Sequence, residues 1–146
     1  MPDPDDIEYA GFWIRVWAAL IDTVLVLLIS VPLLWLAYGE DYFVTAAIFR
    51  GPLDVLLNWV FPAVAIILFW IYRSATPGKM AIGARIVDAT TLGRPSSGQL
   101  IGRYFAYLVS TIPLCLGLVW VGIDRRKQGW HDKLAGTVVV RDRRPA

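Results

Sequence analysis

The stretch from Tyr9 to Leu36, YAGFWIRVWAALIDTVLVLLISVPLLWL, constrains this chain most. It is almost wholly apolar, yet it carries Arg15 and Asp22. A helix from Phe12 to Leu36 rises roughly 37 Å at about 1.5 Å per residue. That is enough to cross a hydrocarbon core of about 30 Å with some tilt. Arg15, near the start, is expected to snorkel to the headgroups. Asp22 lies about 15 Å beyond Phe12 on a short side chain. An ionised carboxylate at that depth costs at least about 2.5–3.5 kcal/mol. Something in the folded protein has to compensate for it.

Composition agrees with a membrane domain. Hydrophobic residues make up 57% of the 146 residues, and the mean hydropathy is +0.55; both point away from a soluble domain. Many of the Trp and Tyr residues fall near the ends of apolar runs, among them Trp13, Trp35, Tyr38, Trp59, Trp70 and Tyr104. Amphipathic rings favour the membrane–water boundary. The lone Cys115 allows no intrachain disulfide. Asp3, Asp5, Asp6 and Glu8 precede the first apolar run, where a signal peptide wants basic residues, so the run is read as retained.

The expected organisation is a polar tail at 1–10, a membrane domain at 11–141 and a basic tail at 142–146. A connection at 37–54 carries Glu40, Asp41 and Asp54 against Arg50, and its middle, YFVTAAIF, suits a short interfacial helix. Residues 55–72 are uncharged and rise about 27 Å, a slightly short span. Residues 73–99 change character. Thr76-Pro77-Gly78 signals a turn, ARIVDA at 84–89 a short strand, and Thr91–Pro95 another turn. Arg103 is placed at the start of the next helix. Residues 104–123 are again uncharged, with Pro113 and Gly117 near the middle. TVVVR at 137–141 is a strong strand signal.

The charges set a topological problem. The 73–99 loop holds Arg73, Lys79, Arg85 and Arg94 against Asp88, and the positive-inside rule puts it in the cytoplasm. The N-terminus is then cytoplasmic and the acidic loop 37–54 external. If 104–123 were a plain third span, the basic C-terminal segment would lie outside, against the same rule. A re-entrant hairpin returns it to the cytoplasm, provided other helices cover its non-helical backbone. The hairpin is the expectation and the plain span the alternative. Two strands unstable alone then meet on one side. The fold class expected is an all-α integral membrane protein: two transmembrane helices, a third apolar segment, and a small cytoplasmic β element.

Arg15 and Asp22 share a helix face, but their backbones are about 10 Å apart, and the Arg head leans away from Asp22. Asp22 either ties helices together or binds a cation or proton; the sequence supports both equally. Ser30 extends the polar stripe weakly. His131-Asp132 would suit a metal hydrolase only with further ligands, and the chain has no second His. A cytoplasmic cap interaction is expected instead, with Asp132 paired to a cation such as Arg85 or Lys79. Gly78-Lys79 lacks the rest of a phosphate loop, and no GxSxG, CxxC or HExxH occurs. An enzyme is therefore not expected, and neither a metal nor a cofactor. Positive-inside bias explains the basic segments without nucleic acid, and anionic lipid is the more economical partner.

Four motifs together resemble the RDD family of membrane proteins: YAGFWIRVWAALID at 9–22, TPGKMAIGARIVD at 76–88, IGRY at 101–104 and GWHDKLAGTVVVR at 129–141. The resemblance covers nearly the whole chain. It implies that Arg15 and Asp22 are the arginine and first aspartate of the family's name. The second aspartate falls on Asp132, with Asp124 the other candidate. It also implies a multi-pass protein of the bacterial cytoplasmic (inner) membrane, with transport of an unidentified ligand the suggested role. The leading expectation is transport of an ion or small solute. Asp22 would be the embedded charge, Arg15 would tune it, and Asp132 would close the cytoplasmic end. Lys79, Arg85, Asp88, Arg103, Asp124 and His131 would form the cap. Two spans and a hairpin enclose a path poorly, so a homo-oligomer is expected. The rival is a non-transporting adaptor whose cap binds a partner protein or anionic lipid.

Overall fold

The structure, a computed structural model, describes residues 7–113 and 115–142. The first six residues and most of the expected tail at 142–146 lie outside the described residues. Helix α1 runs over Phe12–Tyr38. It begins after Gly11 and ends at Gly39, whose φ of 74° lets its N–H reach Trp35 O at 2.8 Å. Only Ala18, Ser30 and Leu34 of α1 are fully buried. Leu20, Val24, Leu27 and Leu28 are exposed. An apolar helix that buries so little against its own chain is built for lipid rather than a protein core.

The second span, Pro52–Arg73, is compound: helix α3 (Pro52–Val55), a π turn at Leu56–Val60, and helix α4 (Phe61–Arg73). The π turn leads straight into Pro62, which has no N–H to donate to a preceding carbonyl. Between the end of α1 at Tyr38 and the start of α3 at Pro52, the helix is the four residues of α2, Asp41–Val44. The remainder of YFVTAAIF is not helical, so the expected interfacial helix shrinks to one turn.

The turn expected at Thr76-Pro77-Gly78 opens a short helix, α5 (Pro77–Ala81), with Thr76 Oγ1 accepting from Lys79 N. Helix α6 occupies Ser97–Thr111, starting earlier than expected. Ser96 and Gln99 form a reciprocal capping box there, with hydrogen bonds of 3.2 and 2.9 Å. Arg103 therefore lies inside the helix rather than at its start. Helix α7 (Leu116–Val119) continues as a 3₁₀ turn to Gly122, and its axis is bent 111° from α6. The apolar run 104–123 is thus not one straight helix. Helix α8 is Trp130–Ala135.

The β element is larger than expected. Strand β3 (Thr137–Asp142) is central, flanked antiparallel by β2 (Ala84–Asp88) and by β1 (Ile7–Tyr9). Residues 7–9, expected in a loose polar tail, are a strand because Ile7 and Tyr9 pack on Val87, Val138 and Val140. The opposite face, Ala84, Ile86 and Val139, packs with Leu100 and Trp70. One sheet thereby holds segments from before α1, after α4 and after α7, and all three lie on one side of any membrane the helices cross.

Candidate functional site

Helix α8 presents Asp132 to the bundle. The carboxylate is fully buried. Its Oδ2 accepts from Gly129 N at 2.9 Å, capping its own helix, and from Arg15 Nη1 at 2.5 Å. Its Oδ1 accepts from Arg103 Nη1. Arg103, also fully buried, donates to Thr137 Oγ1 at 2.6 Å. Arg15 also donates through Nε to Ala10 O at 3.0 Å and through Nη2 to Lys127 O at 2.5 Å. One carboxylate thus joins α1, α6, α8 and the start of β3. Burial alone would raise the Asp132 pKa; the guanidiniums of Arg103 and Arg15 outweigh it and hold it well below the usual carboxylate range.

Two expectations are corrected here. Asp132 takes its cations from the two apolar helices, in place of Lys79 or Arg85 from the loop. Arg15 turns inward to Asp132 rather than snorkelling to headgroups, so it does not tune Asp22 by contact. One carboxylate and two carbonyls hold the guanidinium inside the protein through three of its five N–H groups.

Asp22 is compensated by the α5 joint. Its Oδ2 accepts from Thr76 Oγ1 at 2.5 Å and its Oδ1 from Gly78 N at 2.7 Å. Gly78 is the residue that fits there, since an added Cβ would sit 2.0 Å from Ala18 O.

His131 is buried beside Asp132. Its ring stacks on Tyr107 with centroids 3.9 Å apart. Ser110 Oγ accepts from His131 N at 2.9 Å and lies 3.2 Å from Nδ1. The hydroxyl is left to donate to Nδ1, which places the ring proton on Nε2. Burial, then the nearby Arg103, pushes the His131 pKa down to about 3, against the pull of Asp132. The imidazole is neutral at physiological pH.

Beneath these groups lies a cavity of about 480 Å³, within the range of ligand sites. Arg15, Asp22, Thr76, Lys79 and His131 form its polar wall, and the rest is mainly apolar, including Val16, Ile66, Leu108 and Leu118. Thr23, Leu108 and Thr111 are exposed members of the lining, so the cavity opens on the helix flank. Lys79 is buried, with its ammonium 5.8 Å from the centre of the Trp70 ring. Burial lowers its pKa, and Arg103 and Arg15 add to the effect.

The other expected cap residues lie apart from the cavity. Asp88 holds the β2–α6 turn through Thr90 N and Thr91 N and accepts from Gln99; these bonds, that from Thr91 first, lower its pKa to about 2. Asp124 organises the loop before α8, accepting from Arg126 N and Gln128 N and pairing with Lys133. Arg85 sits on β2 opposite Val140. Trp70 is expected from the sequence only as a boundary aromatic and Thr76 only as part of a turn, and Tyr107 and Ser110 carry no expectation. Arg103, Tyr107 and Ser110 stand at i, i+4 and i+7, a one-face spacing in a helix, and that signal was available.

The sequence matches the RDD family over residues 9–136. The chain belongs to the RDD family. The match spans Arg15, Asp22 and Asp132. The protein named RP437 of Rickettsia prowazekii is 31% identical, over 92% of this chain and 97% of its own length. The protein named YxaI of Bacillus subtilis is 32% identical, over 90% and 96%. A third relative, also of Bacillus subtilis and named as the membrane protein YteJ, is 28% identical over 92% of this chain and 82% of its own. No solved structure matches the chain.

Proposed function

We propose that this RDD membrane protein carries an ion or small solute across a bacterial cytoplasmic membrane and that the flank cavity is its binding site. The N-terminus, the sheet and α8 face the cytoplasm. α1 crosses outward, α3–α4 crosses back, and α6–α7 enters and returns as a re-entrant hairpin. Two features support this topology: the shared sheet and the basic character of the 73–99 loop and the C-terminal segment, which supply β2 and β3. The carrying observation is the cavity itself, which sets Arg15, Asp22 and Lys79 within a mainly apolar wall. Charged groups held at such a place are expensive; Arg15 and Asp22 have partners within the fold, and Lys79 is the one a ligand would satisfy. A second copy packed on the exposed flanks of α1 and α6 would narrow the lateral opening, so a homo-oligomer belongs to this reading.

The adaptor reading has less support, because many of the cap's cations are spent inside the fold. Arg103 and Arg15 hold Asp132, Arg126 donates to Ala89 O at 2.5 Å, and Lys133 pairs with Asp124 at 2.6 Å. The test is flux in proteoliposomes enclosing a pH-sensitive dye, challenged with gradients of NaCl, KCl or sodium octanoate. A response to one of these in the native protein, lost in Asp22→Asn while the protein still inserts, is the expected result. No response in either form, with anionic vesicles still held by both, would favour the adaptor.

A further inference from the structure

The cavity carries an electrostatic imbalance that points to its ligand. Its polar wall and the groups directly behind it comprise the cations Arg15, Arg103 and Lys79 and the carboxylates Asp22 and Asp132. Asp132 is committed to both arginines. Asp22 is committed through both oxygens to Thr76 and Gly78. Lys79 is left over. Among the described residues its ammonium has no hydrogen bond and no ion pair, only the face of Trp70, although the residue is just 8% exposed. One further donor in the lining, Trp70 Nε1, is also buried without an acceptor, while His131 Nε2 lies 3.5 Å from Asp132 Oδ2. Buried donors that lack acceptors are costly and call for an explanation. Here two of them, Lys79 and Trp70, line one cavity, and the chemistry Lys79 lacks is an anionic acceptor.

The rest of the lining specifies what the anion is attached to. From the charged end the cavity continues along Val16, Ile66, Leu108 and Leu118. It opens past Leu108, which is 58% exposed on a flank it shares with exposed Val109 and Ile112. In a membrane that flank faces acyl chains, so an entering molecule with an apolar chain never has to leave the hydrocarbon. A small, fully hydrated anion would meet mostly carbon on the same route.

We propose that the cavity binds a single-chain amphiphile by its acidic head, a carboxylate or phosphate, with Lys79 as the counter-ion and the apolar chain lying along α1, α4 and α6. This rests on reading the cavity as a binding site; it does not require that the amphiphile be transported.

The test is binding to the full-length protein in neutral detergent, measured by native mass spectrometry. Oleate and lysophosphatidate are the acidic probes and oleyl alcohol the neutral control. Acetate and inorganic phosphate serve as heads without chains. The expected result is saturable binding of an acidic long-chain probe, at least tenfold tighter than oleyl alcohol. It should be lost in Lys79→Met, restored in Lys79→Arg, and little affected by acetate or phosphate. Preference between oleate and lysophosphatidate distinguishes a fatty acid from a lipid phosphate as the source. Lys79→Met removes an unpaired buried charge and should melt no lower than the native protein. A second variant, Leu108→Trp at the exposed rim, should also weaken the acidic probe by blocking the chain.

Equal binding in the native protein and Lys79→Met would overturn the assignment of Lys79. Full displacement by acetate or phosphate alone would overturn the amphiphile and leave a free anion. Unaltered binding in Leu108→Trp would overturn the cavity as the location. Binding as predicted with no flux of any ion or solute would sink the transport reading and leave this one standing. Flux without binding of either acidic probe would do the reverse.

Discussion

Asp132 is the residue on which the cytoplasmic end converges, and its burial decides what its loss would do. Two guanidiniums share one fully buried carboxylate, so neutralising the acid leaves both charges underpaired. Asp132→Asn keeps the shape but turns an amide N–H toward an arginine. A broken buried pair costs about 3–5 kcal/mol, and thermal unfolding in detergent should show a loss of that order. Acid should act through the neighbour instead. His131 has a folded pKa of about 3 against about 6.5 unfolded. Above pH 6.5 the imidazole is neutral in both states and contributes nothing. As pH falls from about 6.5 toward 3, only the unfolded chain gains the proton, and stability falls by up to about 5 kcal/mol. Asp132 acts in the same direction but at lower pH: its pKa is depressed too, so its contribution is lost only once the unfolded carboxylate, with a pKa of about 3.9, begins to take up protons. Melting followed from pH 7.5 to 4.5 should therefore decline in the native protein and be flatter in His131→Asn.

At the scale of elements, the joint between α1 and α5 is the part most sensitive to a single atom. A methyl at Gly78 would meet the backbone of Ala18 at 2.0 Å and the Asp22 carboxyl carbon at 2.9 Å. Neither neighbour yields cheaply, so α5 has to withdraw and release the two hydrogen bonds that satisfy Asp22. Gly78→Ala should cost about 1–3 kcal/mol, as overpacking does, and hydrogen exchange should quicken through α5 and β2. Gly102, on α6 with open space around its added methyl, is the control: Gly102→Ala should be neutral or gain about 0.5–1 kcal/mol in helix stability. These elements differ in how far the sequence announced them. The spans were legible because uninterrupted apolar runs have few other fates, and β2 and β3 because ARIVD and TVVVR are β-branched. The start of α6 was equally legible in Ser96-x-x-Gln99, a capping-box pattern, but the preceding turn signals masked it. Strand β1 was not, since three residues of mixed polarity become a strand only when β3 offers an edge. Nor was the Arg15–Asp132 pair derivable from periodicity. Its members are 117 residues apart, and local spacing favours the nearer cations Lys79 and Arg85 no less.

Over the whole molecule, polar clusters close both ends of an otherwise apolar bundle. At the sheet end stands the Asp132 network. At the other, buried Asp54 accepts from Arg50 N at 3.0 Å, from Asn58 Nδ2 at 2.6 Å and from the Tyr42 hydroxyl, tying the 37–54 connection to the second span. That cluster is internally satisfied and reads as a structural clasp, whereas the sheet end carries the unmatched donors. The arrangement depends on β1, β2 and β3 sharing a side. A reporter fused after Ala146, a second inserted at Gly93 in the β2–α6 turn, and a third at Thr45 between the spans test this directly. The first two should report the cytoplasm and the third the exterior. If the Ala146 fusion reports the exterior while Gly93 remains cytoplasmic, β3 cannot pair with β2, and α8 lies across the membrane from Arg15. The Asp132 network would then not exist in the cell, and with it would go the polar wall on which the cavity's chemistry depends. Agreement between Ala146 and Gly93 fixes an even number of crossings, and the 111° bend between α6 and α7 becomes the point where the third apolar segment turns back.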